Sequence, residues 1–292
     1  MKKGLITGID GFTGKHLQSY LEKNSFEVYG TSLEKEEKNI FQCDITQKED
    51  IKRVLKEIKP EYIIHLAAIS FAAESNITPY YNVNVIGTTN LLEAINELNI
   101  QPKKTIIASS ATVYGSQEKN ILFEELCPNP LNHYGISKLA KEQVAKSFFE
   151  KLNIIITRPF NYTGLYQEEH FLIPKIVKHF KEKKKVIELG NLEVEREFND
   201  VEFVCEAYKR LLLSDISGEI INIASGRGIK LLDVIKIMEE IAQYKIEIKI
   251  NPKFVRKNEI SSLTGSNKKL FELVGKIPQK EFKETLKSMY EA

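Results

Sequence analysis

Gly8-Ile9-Asp10-Gly11-Phe12-Thr13-Gly14 is the stretch of this sequence that decides the fold. It lies between an apolar run, Gly4–Thr7, and a helical pattern that begins at Lys15. Glycines in such a place permit positive φ and, because they have no Cβ, a close approach of the backbone to a ligand. The N terminus of the following helix offers free N–H groups and a favourable dipole to a phosphate. The stretch therefore predicts a turn that holds the pyrophosphate of a dinucleotide. The predicted contacts in this turn are Gly8, Asp10, Gly11, Phe12, Thr13 and Gly14.

Apolar runs and helical patterns alternate through the first half of the chain. Each predicted strand is apolar throughout, which is typical of parallel strands that are covered on both faces. The alternation predicts an α/β fold with a doubly wound parallel sheet of the Rossmann type. The predicted strands are Gly4–Thr7, Glu27–Thr31, Tyr62–Leu66, Thr105–Ser109 and Ile154–Thr157, and the predicted helices are Lys15–Lys23, Lys48–Ile58, Tyr80–Leu98 and Tyr134–Lys151.

After Arg158-Pro159 this alternation ends, and the later patterns predict a smaller α/β substrate-binding lobe. We expect a dinucleotide-binding domain over residues 1–160, to which residues 198–224 return. The substrate lobe is expected over residues 161–197 and 225–292. Its predicted elements, with those of the returning segment, are helices at Ile173–Lys183, Val201–Leu213 and Leu231–Tyr244, strands at Val186–Leu189, Glu219–Ile223 and Ile246–Ile250, and small helices near Lys268 and Glu281.

The composition is that of a globular protein with little overall charge. Of its 292 residues 42% are hydrophobic, and 42 basic against 40 acidic side chains give a net charge of +2. A balance this even favours neither a nucleic acid nor an anionic membrane as a partner. The three cysteines lack CxxC spacing, which fits a reducing compartment and predicts neither a disulfide frame nor a metal site. No apolar run approaches about 18 residues, and no secretory pattern follows Met1, so we expect a cytoplasmic protein.

A tyrosine and a lysine stand four residues apart in Tyr134-Gly135-Ile136-Ser137-Lys138. Such positions share one face of a helix, so the Lys138 ammonium is expected beside the Tyr134 phenol and under a nicotinamide ribose. A nearby cation favours the phenolate and lowers the pKa of a tyrosine from its reference of about 10. A donor tuned toward neutrality is a better general acid or base. Together with the glycine turn, the pair predicts carbonyl chemistry with a nicotinamide cofactor.

These two motifs resemble those of the short-chain dehydrogenase/reductase superfamily. The glycines follow its GxxGxxG spacing, and Tyr134 and Lys138 form its YxxxK pair. The resemblance implies that Asp44 and Ile45 contact the adenine of the cofactor. It also implies that the loop Leu66-Ala67-Ala68 faces the cofactor.

The end of the second predicted strand reads Gly30-Thr31-Ser32-Leu33-Glu34-Lys35. In dinucleotide-binding folds an acid here binds the 2′-hydroxyl of NAD, whereas a nearby cation accepts the 2′-phosphate of NADP. Since no acid stands directly at the strand end, Ser32 and Lys35 are the predicted phosphate contacts, and NADP(H) is slightly preferred. Glu34 keeps NAD(H) open.

The stretch Ser109-Ser110-Ala111-Thr112-Val113-Tyr114-Gly115 follows the fourth strand, where ligands of open α/β sheets bind. It resembles the SSATVYG segment of extended short-chain enzymes that act on nucleotide sugars. The resemblance implies that Ser110 is the catalytic hydroxyl, bonded to the substrate oxygen, and that Thr112 helps to hold the sugar. Ser109 and Tyr114 are interpreted as structural.

Further motifs extend the resemblance over nearly the whole chain. Asn84, in Asn82-Val83-Asn84-Val85, matches a helix motif whose amide braces the active-site loops. Asn161, in Arg158-Pro159-Phe160-Asn161, is expected to bind the diphosphate or the sugar. Arg196 begins a match to R-[DE]-F-x-D-V, whose arginine meets the nucleotide diphosphate as a bidentate fork.

The C-terminal region is similar to DPxxxRPxD…LxGD, a pattern of GDP-mannose 4,6-dehydratases and GDP-4-keto-6-deoxymannose reductases. It is carried by residues 251–259 and by Leu263-Thr264-Gly265-Ser266. The resemblance implies that Arg256 reaches the diphosphate and that Glu259 reaches the ribose of the nucleotide. The chain departs from the pattern with Asn251 for Asp, Lys257 for Pro and Glu259 for Asp.

The same residues argue against dehydration and leave oxidoreductive interpretations. Dehydratases of this kind carry acids after the catalytic hydroxyl, where this chain has Ala111 and Thr112, which cannot do carboxylate work. The favoured interpretation is a reductase that delivers hydride from NAD(P)H to C4 of a 4-keto-6-deoxy sugar, most of all GDP-4-keto-6-deoxy-mannose, for surface-glycan precursors. The alternatives are an NDP-sugar 4-epimerase with tightly bound NAD and, from another class, a non-catalytic NAD(P)-binding sensor.

The resemblance also implies the partners of the chain. A nucleotide-diphosphate sugar is the expected substrate. A homodimer is expected as well, because relatives pair helices like Tyr80–Leu98 and Tyr134–Lys151 into a bundle.

Overall fold

A computed structural model of the chain describes residues 1–70, 76–255 and 260–292. The strands run in chain order: β1 (Lys2–Thr7), β2 (Phe26–Ser32), β3 (Ile40–Gln42), β4 (Tyr62–His65), β5 (Lys104–Ala108), β6 (Ile121–Leu122), β7 (Ile154–Pro159), β8 (Tyr162–Thr163), β9 (Val186–Leu189), β10 (Glu195–Glu197), β11 (Asn199–Asp200), β12 (Glu219–Ile223), β13 (Gly228–Lys230), β14 (Glu247–Ile250) and β15 (Ser262–Gly265). The helices are α1 (Phe12–Lys23), α2 (Lys48–Ile58), α3 (Thr78–Tyr81), α4 (Gly87–Glu97), α5 (His133–Lys146), α6 (Leu172–Lys181), α7 (Val201–Leu212), α8 (Leu231–Ala242), α9 (Lys268–Val274) and α10 (Phe282–Glu291). A π-helical turn (Asn82–Ile86) joins α3 to α4.

Among the described residues, seven parallel strands form the central sheet in the order β12-β7-β5-β4-β1-β2-β3. Successive side chains of a strand point to opposite faces. Leu5 and Ile107 accordingly enter a core under α2 and α4, while Ile6 and Ile106 enter a second core under α1 and α7. Coverage of both faces explains why the strands are apolar throughout. The predicted doubly wound α/β fold of the Rossmann type is confirmed.

The strand order of the central sheet reverses next to β1, which creates a crevice suitable for a ligand. From β1 the chain continues outward to β2 and β3, and it then returns to place β4 on the other side of β1. In open α/β sheets, ligands bind outside the carboxyl ends of the strands at such a reversal. The strands of this region end in Thr7, Ser32, His65, Ala108 and Pro159.

Shorter strands organise much of the second half of the chain. One mixed sheet has the order β13-β10-β15-β6, and β14 pairs with β9 and β11 with β8. A further core lies among α6, α8 and α10 and includes Ile176, Met238 and Leu286. Although β6 belongs to residues 1–160, it pairs with β15. The proposed division into two domains stays a prediction.

Several boundaries differ from those that the sequence predicts. α1 begins at Phe12 rather than Lys15, because Gly11 is extended and already occupies the N-cap position. The predicted helix Tyr80–Leu98 is divided by the π-helical turn, a feature that often marks functional sites. The unpredicted strands have two to four residues, which is too short to show a period of alternation. Within the three described ranges, no helix is long and apolar enough to cross a membrane.

Candidate active site

The turn between β1 and α1 is tight enough to require glycine at two positions. Gly8 has a φ of +70°, and a Cβ there would lie 2.9 Å from the Cα of Ala67. A Cβ at Gly14 would lie 2.5 Å from the carbonyl oxygens of Gly8 and Ile9. Across the described parts of the chain, no side chain caps α1, and its first turn carries no acid. An exposed helix N terminus of this kind attracts an anion, so the turn fits a pyrophosphate.

The loop after β4 passes directly over the glycine turn. The backbone N–H of Leu66 donates to the carbonyl of Thr7 over 3.2 Å, and the N–H of Ala67 donates to Oγ1 of Thr7 over 3.2 Å. Ala68 follows them, partly buried. The structure therefore brings the predicted cofactor-facing loop against Gly8.

Asp44 and Ile45 lie at the entrance to α2. Oδ1 of Asp44 accepts hydrogen bonds from the backbone N–H of Thr46 at 2.9 Å and from its hydroxyl at 2.8 Å. Ile45 is buried, and a Cβ at Gly87 would lie 2.6 Å from its Cδ1. A carboxylate has about four acceptor positions, so the turn with Thr46 is compatible with the predicted contact of Asp44 to an adenine.

The carboxylate of Asp10 lies at the end of β2, although Asp10 is distant from that strand end in the sequence. Ser32 donates its hydroxyl hydrogen to Oδ2 of Asp10 over 2.8 Å. Its Oγ also accepts the N–H groups of Glu34 at 3.2 Å and Lys35 at 3.1 Å. The buried Ser32 hydroxyl is therefore engaged within the protein, whereas the side chain of Lys35 is exposed. Asp10 therefore places a carboxylate at the end of β2, which is where an acid binds the ribose 2′-hydroxyl of NAD in such folds.

Tyr134, Lys138 and Ser110 converge beyond the carboxyl end of β5. The side chain of Asn132 caps α5 and places Tyr134 in its first turn. Nζ of Lys138 lies 5.7 Å from the centroid of the Tyr134 ring and 3.4 Å from the carbonyl oxygen of Ala108. The Ser110 side chain lies close enough to the Tyr134 phenol to favour its ionised form. A hydroxyl, a phenol and an ammonium thus meet in one small region.

The pKa of Tyr134 shifts in the direction opposite to the one expected from its spacing. Burial raises the pKa of Tyr134 to about 12, although the hydrogen bond from Ser110 lowers it. Burial also lowers the pKa of Lys138 to about 8, against the attraction of Glu142. Desolvation disfavours the charged form of both groups and outweighs any attraction between ammonium and phenolate. The expectation that the pKa of Tyr134 lies below its reference value is wrong for this structure.

The expected bracing role of Asn84 is confirmed. This buried residue lies in the π-helical turn, and its Oδ1 accepts the backbone N–H of Ile69 at 2.9 Å. Its Nδ2 donates to Oγ of Ser137 over 2.9 Å, and Ser137 donates in turn to the carbonyl of Tyr134 over 2.8 Å. One amide therefore ties the loop after β4 to the first turn of α5.

A buried ion pair between Arg158 and Glu142 is bonded to Ser109, the residue before Ser110. Nε and Nη2 of Arg158 donate to the two carboxylate oxygens of Glu142 over 2.9 and 2.7 Å, and the two side chains are 2% and 0% exposed. Ser109 donates to the same carboxylate over 2.6 Å, while the Tyr114 hydroxyl donates to Asn222 over 2.7 Å. Both Ser109 and Tyr114 thus have the structural roles expected of them.

A second lysine is buried behind Lys138. Lys141 is completely buried, and its Nζ has no hydrogen-bond partner among the residues described. Burial, with repulsion from Lys138, lowers the pKa of Lys141 well below its usual value. His65 lies between Thr7 Oγ1 at 2.7 Å and Thr88 Oγ1 at 2.9 Å, and burial and the two lysines lower its pKa too. Burial therefore disfavours the charged form of all three groups.

A family model described as GDP-mannose 4,6 dehydratase matches residues 5–289. The chain belongs to the GDP-mannose 4,6-dehydratase family. The GDP-6-deoxy-D-talose 4-dehydrogenase of Aggregatibacter actinomycetemcomitans is 39% identical over 94% of this chain and 91% of its own. The GDP-6-deoxy-D-mannose reductase of Pseudomonas aeruginosa is 31% identical over 97% of this chain and 94% of its own.

Solved structures support the same assignment. RMD from Pseudomonas aeruginosa, complexed with NADPH, superposes with a TM-score of 0.89 at 28% identity, over 100% of this chain and 98% of that one. The UDP-glucose 4-epimerase of Thermus thermophilus, in complex with NAD, gives 0.87 at 25% identity, over 99% and 98%. The family match, the two curated relatives and these structures confirm the resemblance to extended short-chain dehydrogenases/reductases.

In this GDP-mannose 4,6-dehydratase family member, one residue predicted to contact the sugar lies against Ser110. Thr112 donates its hydroxyl hydrogen to Oγ of Ser110 over 2.9 Å. Asn161 is exposed between β7 and β8, and its carbonyl accepts the N–H of Asn199 at 2.9 Å. The structure therefore joins Thr112 to the candidate centre and leaves the Asn161 side chain at the surface.

The predicted diphosphate contacts lie farther along the chain. Arg196, on β10, donates from Nη1 to the carbonyl oxygens of Glu195 at 2.8 Å and Ser261 at 3.3 Å. Arg256 and Glu259 lie outside the described residues. The roles of these three side chains stay predictions.

Reasoning from the sequence missed three features of the site. The contact between Asp10 and Ser32 carries no local signal, because it joins two different βα connections. Lys141 lies three positions after Lys138, and helical spacing alone could have placed both on one face. Tyr162 directly follows the motif Arg158-Pro159-Phe160-Asn161, which by itself predicts no role for it.

Proposed function

We propose that this chain reduces the C4 ketone of a nucleotide-diphosphate 4-keto-6-deoxy sugar with NAD(P)H, most of all GDP-4-keto-6-deoxy-mannose. The observation that carries the proposal is the convergence of Ser110, the Tyr134 phenol and Lys138 in one small region. The two curated relatives support the substrate class, because both are named for oxidoreduction of GDP-6-deoxy sugars.

Each of the three side chains has a task in ketone reduction. Ser110 donates a hydrogen bond to the ketone oxygen and polarises the carbonyl. Tyr134 gives its phenolic proton to that oxygen as an alkoxide forms, and a pKa of about 12 keeps this proton in place at neutral pH. The Lys138 ammonium stabilises the negative charge left on the phenol. When bound, the reduced nicotinamide would supply the hydride.

The residues present fit a nicotinamide dinucleotide. The glycine turn would hold its pyrophosphate, and Lys35, exposed at the end of β2, supports the slight preference for NADP(H). NADPH is also the cofactor of the Pseudomonas aeruginosa structure. Asp10 supports NAD(H), because a carboxylate there would accept a hydrogen bond from a 2′-hydroxyl and repel a 2′-phosphate.

Dehydration is not part of the proposal, although the family takes its name from that reaction. The two positions after Ser110 are Ala111, which is buried, and Thr112, which is bonded to Ser110. Neither side chain can abstract a proton from carbon as a carboxylate does.

A 4-epimerase with bound NAD is the second candidate. The likeness to the Thermus thermophilus UDP-glucose 4-epimerase favours it, and the same Tyr134 could move a proton in both directions. Net consumption of cofactor separates the two, since an epimerase restores the dinucleotide in each cycle. A non-catalytic sensor would bind the dinucleotide and convert nothing.

An absorbance assay tests the proposal. With GDP-4-keto-6-deoxymannose we expect NADPH or NADH to be oxidised in proportion to the keto sugar, and the product to be a GDP-6-deoxy sugar. Parallel titrations with NADPH and NADH decide the cofactor. Absence of oxidation with this compound and with its UDP, CDP and dTDP counterparts would refute the reductase, and interconversion of 4-epimers without net oxidation would establish the epimerase.

The dependence of kcat/KM on pH in the alkaline range should reflect the ionisation of Lys138. Its ammonium has a pKa of about 8 and loses its charge as the pH rises through that value, whereas Tyr134 keeps its proton until about pH 12. We therefore expect kcat/KM to fall above pH 8 by about tenfold per pH unit, since this parameter follows groups of the free enzyme. Lys138→Arg is the control, because a guanidinium stays charged and should remove this decline. A wild-type profile that stays flat to about pH 9.5 would contradict the assignment.

The homodimer and the cytoplasmic location also remain proposals. Ile86 and Ile136 are 48% and 40% exposed, at the start of α4 and in the first turn of α5. These two exposed apolar side chains support pairing of this region with a second copy of the chain.

A further inference from the structure

We propose that Tyr162 is a positioning residue, which holds the first turn of α1 in the conformation that binds the dinucleotide. It acts through Thr13 and connects that turn to β8, the strand on which Tyr162 itself lies. The inference rests on the proposed function only in requiring that the chain binds a nicotinamide dinucleotide.

The first contact joins Tyr162 to the glycine turn. Its hydroxyl lies 2.6 Å from Oγ1 of Thr13, and its ring stacks on that of Phe12 with centroids 6.0 Å apart and an interplanar angle of 21°. Thr13 and Phe12 are the first two residues of α1, where the predicted pyrophosphate site lies. Tyr162 thus restrains both side chains that begin this helix.

The residues after Tyr162 hold the same helix a turn further on. His16 forms a hydrogen bond with the carbonyl oxygen of Leu165 over 2.8 Å. Gly164 packs so closely that a Cβ there would lie 2.7 Å from Cγ1 of Val201. The segment 162–165 is therefore packed between α1 and α7, and it cannot shift without disturbing the first turn of α1.

Tyr162 also lies near the candidate catalytic phenol. An electrostatic interaction with Tyr162 adds to the burial that raises the pKa of Tyr134. Burial raises the pKa of Tyr162 itself, while the hydrogen bond with Thr13 lowers it, so its hydroxyl stays protonated and available as a donor. Tyr162 therefore touches the glycine turn and neighbours Tyr134, the two ends of the path that a dinucleotide follows from its pyrophosphate to its nicotinamide.

A preordered turn binds a ligand more tightly, because the ligand need not provide the ordering energy. Removing the Tyr162 hydroxyl should therefore weaken dinucleotide binding more than it slows the chemical step. The expected signature is a raised KM for the cofactor with a much smaller change in kcat. A residue that only stabilised the fold would not divide its effect in this way.

A double-mutant cycle tests the pair directly. Tyr162→Phe, Thr13→Val and the double variant are compared with the wild type by titration with NADPH and NADH. We expect each single change to weaken binding about fivefold, the size of one net hydrogen bond. The double variant should be no weaker than Thr13→Val alone, because Tyr162→Phe removes an interaction that Thr13→Val has already removed. Tyr166→Phe is the matched control and should bind as the wild type does, since Tyr166 is 85% exposed and its ring stacks on His16 rather than on Phe12 or Thr13.

Two results would overturn the inference while leaving the proposed function intact. One is multiplication of the two single effects in the double variant, to about 25-fold, which means that the hydroxyls act independently. The other is Tyr162→Phe with wild-type affinity, or with affinity lost only in step with its melting temperature. Failure of the wild type to bind either dinucleotide would instead refute the proposed function itself.

Discussion

Tyr134→Phe should lower kcat by about 10²- to 10⁴-fold, the usual contribution of a positioned general acid. The change removes one oxygen and leaves the ring, which lies 5.7 Å from Nζ of Lys138 and packs edge-on to Tyr80. Affinity for the dinucleotide should change little, because the phenol serves proton transfer. Stopped-flow or steady-state oxidation of NADPH with the keto sugar measures the loss, and titration measures the affinity.

Tyr81→Phe is the matched control for this prediction. Its hydroxyl forms a hydrogen bond with Nδ1 of His133, the residue just before Tyr134. This variant removes a phenolic oxygen beside the site without touching the proposed proton donor, so kcat should stay within about twofold of the wild type, far from the loss expected of a general acid. If Tyr134→Phe kept more than about a tenth of the wild-type kcat, another group would have to donate the proton.

Glu142→Leu should destabilise the protein by about 3–5 kcal/mol, because it leaves the guanidinium of Arg158 buried without its counter-charge. Both side chains are almost completely buried, and two charge-assisted hydrogen bonds join them. The same change removes the acceptor of Ser109, so the loop that carries Ser110 loses an anchor. Urea denaturation followed by circular dichroism measures the free energy of unfolding.

Two further variants make this test specific. Glu142→Leu combined with Arg158→Met should be less destabilised than Glu142→Leu alone, since no unpaired charge remains in the core. Arg227→Met removes an exposed ion pair with Glu281 and should leave stability nearly unchanged, because water already solvates both groups. Stability of Glu142→Leu equal to that of the wild type would show that the buried pair contributes nothing.

The features that the sequence predicted correctly depend on short stretches of chain. The apolar runs around β1 and β5 predict parallel strands because residues in a covered sheet must be apolar on both faces. Spacing of four residues puts Tyr134 and Lys138 on one side of α5 because a helix has 3.6 residues per turn. Gly8 and Gly14 could be singled out because a tight turn before a helix excludes a Cβ. The motifs around them also sufficed to predict the family.

Features that depend on contacts between distant segments were missed or reversed. The carboxylate of Asp10 meets Ser32, and Thr13 meets Tyr162, only because β2 and β8 are brought to the same end of the sheet. The pKa of Tyr134 rises instead of falling because burial depends on every element packed around it. The four-residue spacing of Tyr134 and Lys138 gives no information about how strongly folding desolvates the phenol.

Local geometry is thus what the sequence alone determined about this protein: the glycine turn, the apolar strands, and the shared helical face of Tyr134 and Lys138. Those features follow from φ and ψ preferences and from periods of two and 3.6 residues. Tertiary structure alone decided which groups burial shifts away from their charged form, as it does for Lys141, and which side chains contact the glycine turn. The reason is physical, since solvation and hydrogen bonding between remote residues exist only after the chain has folded.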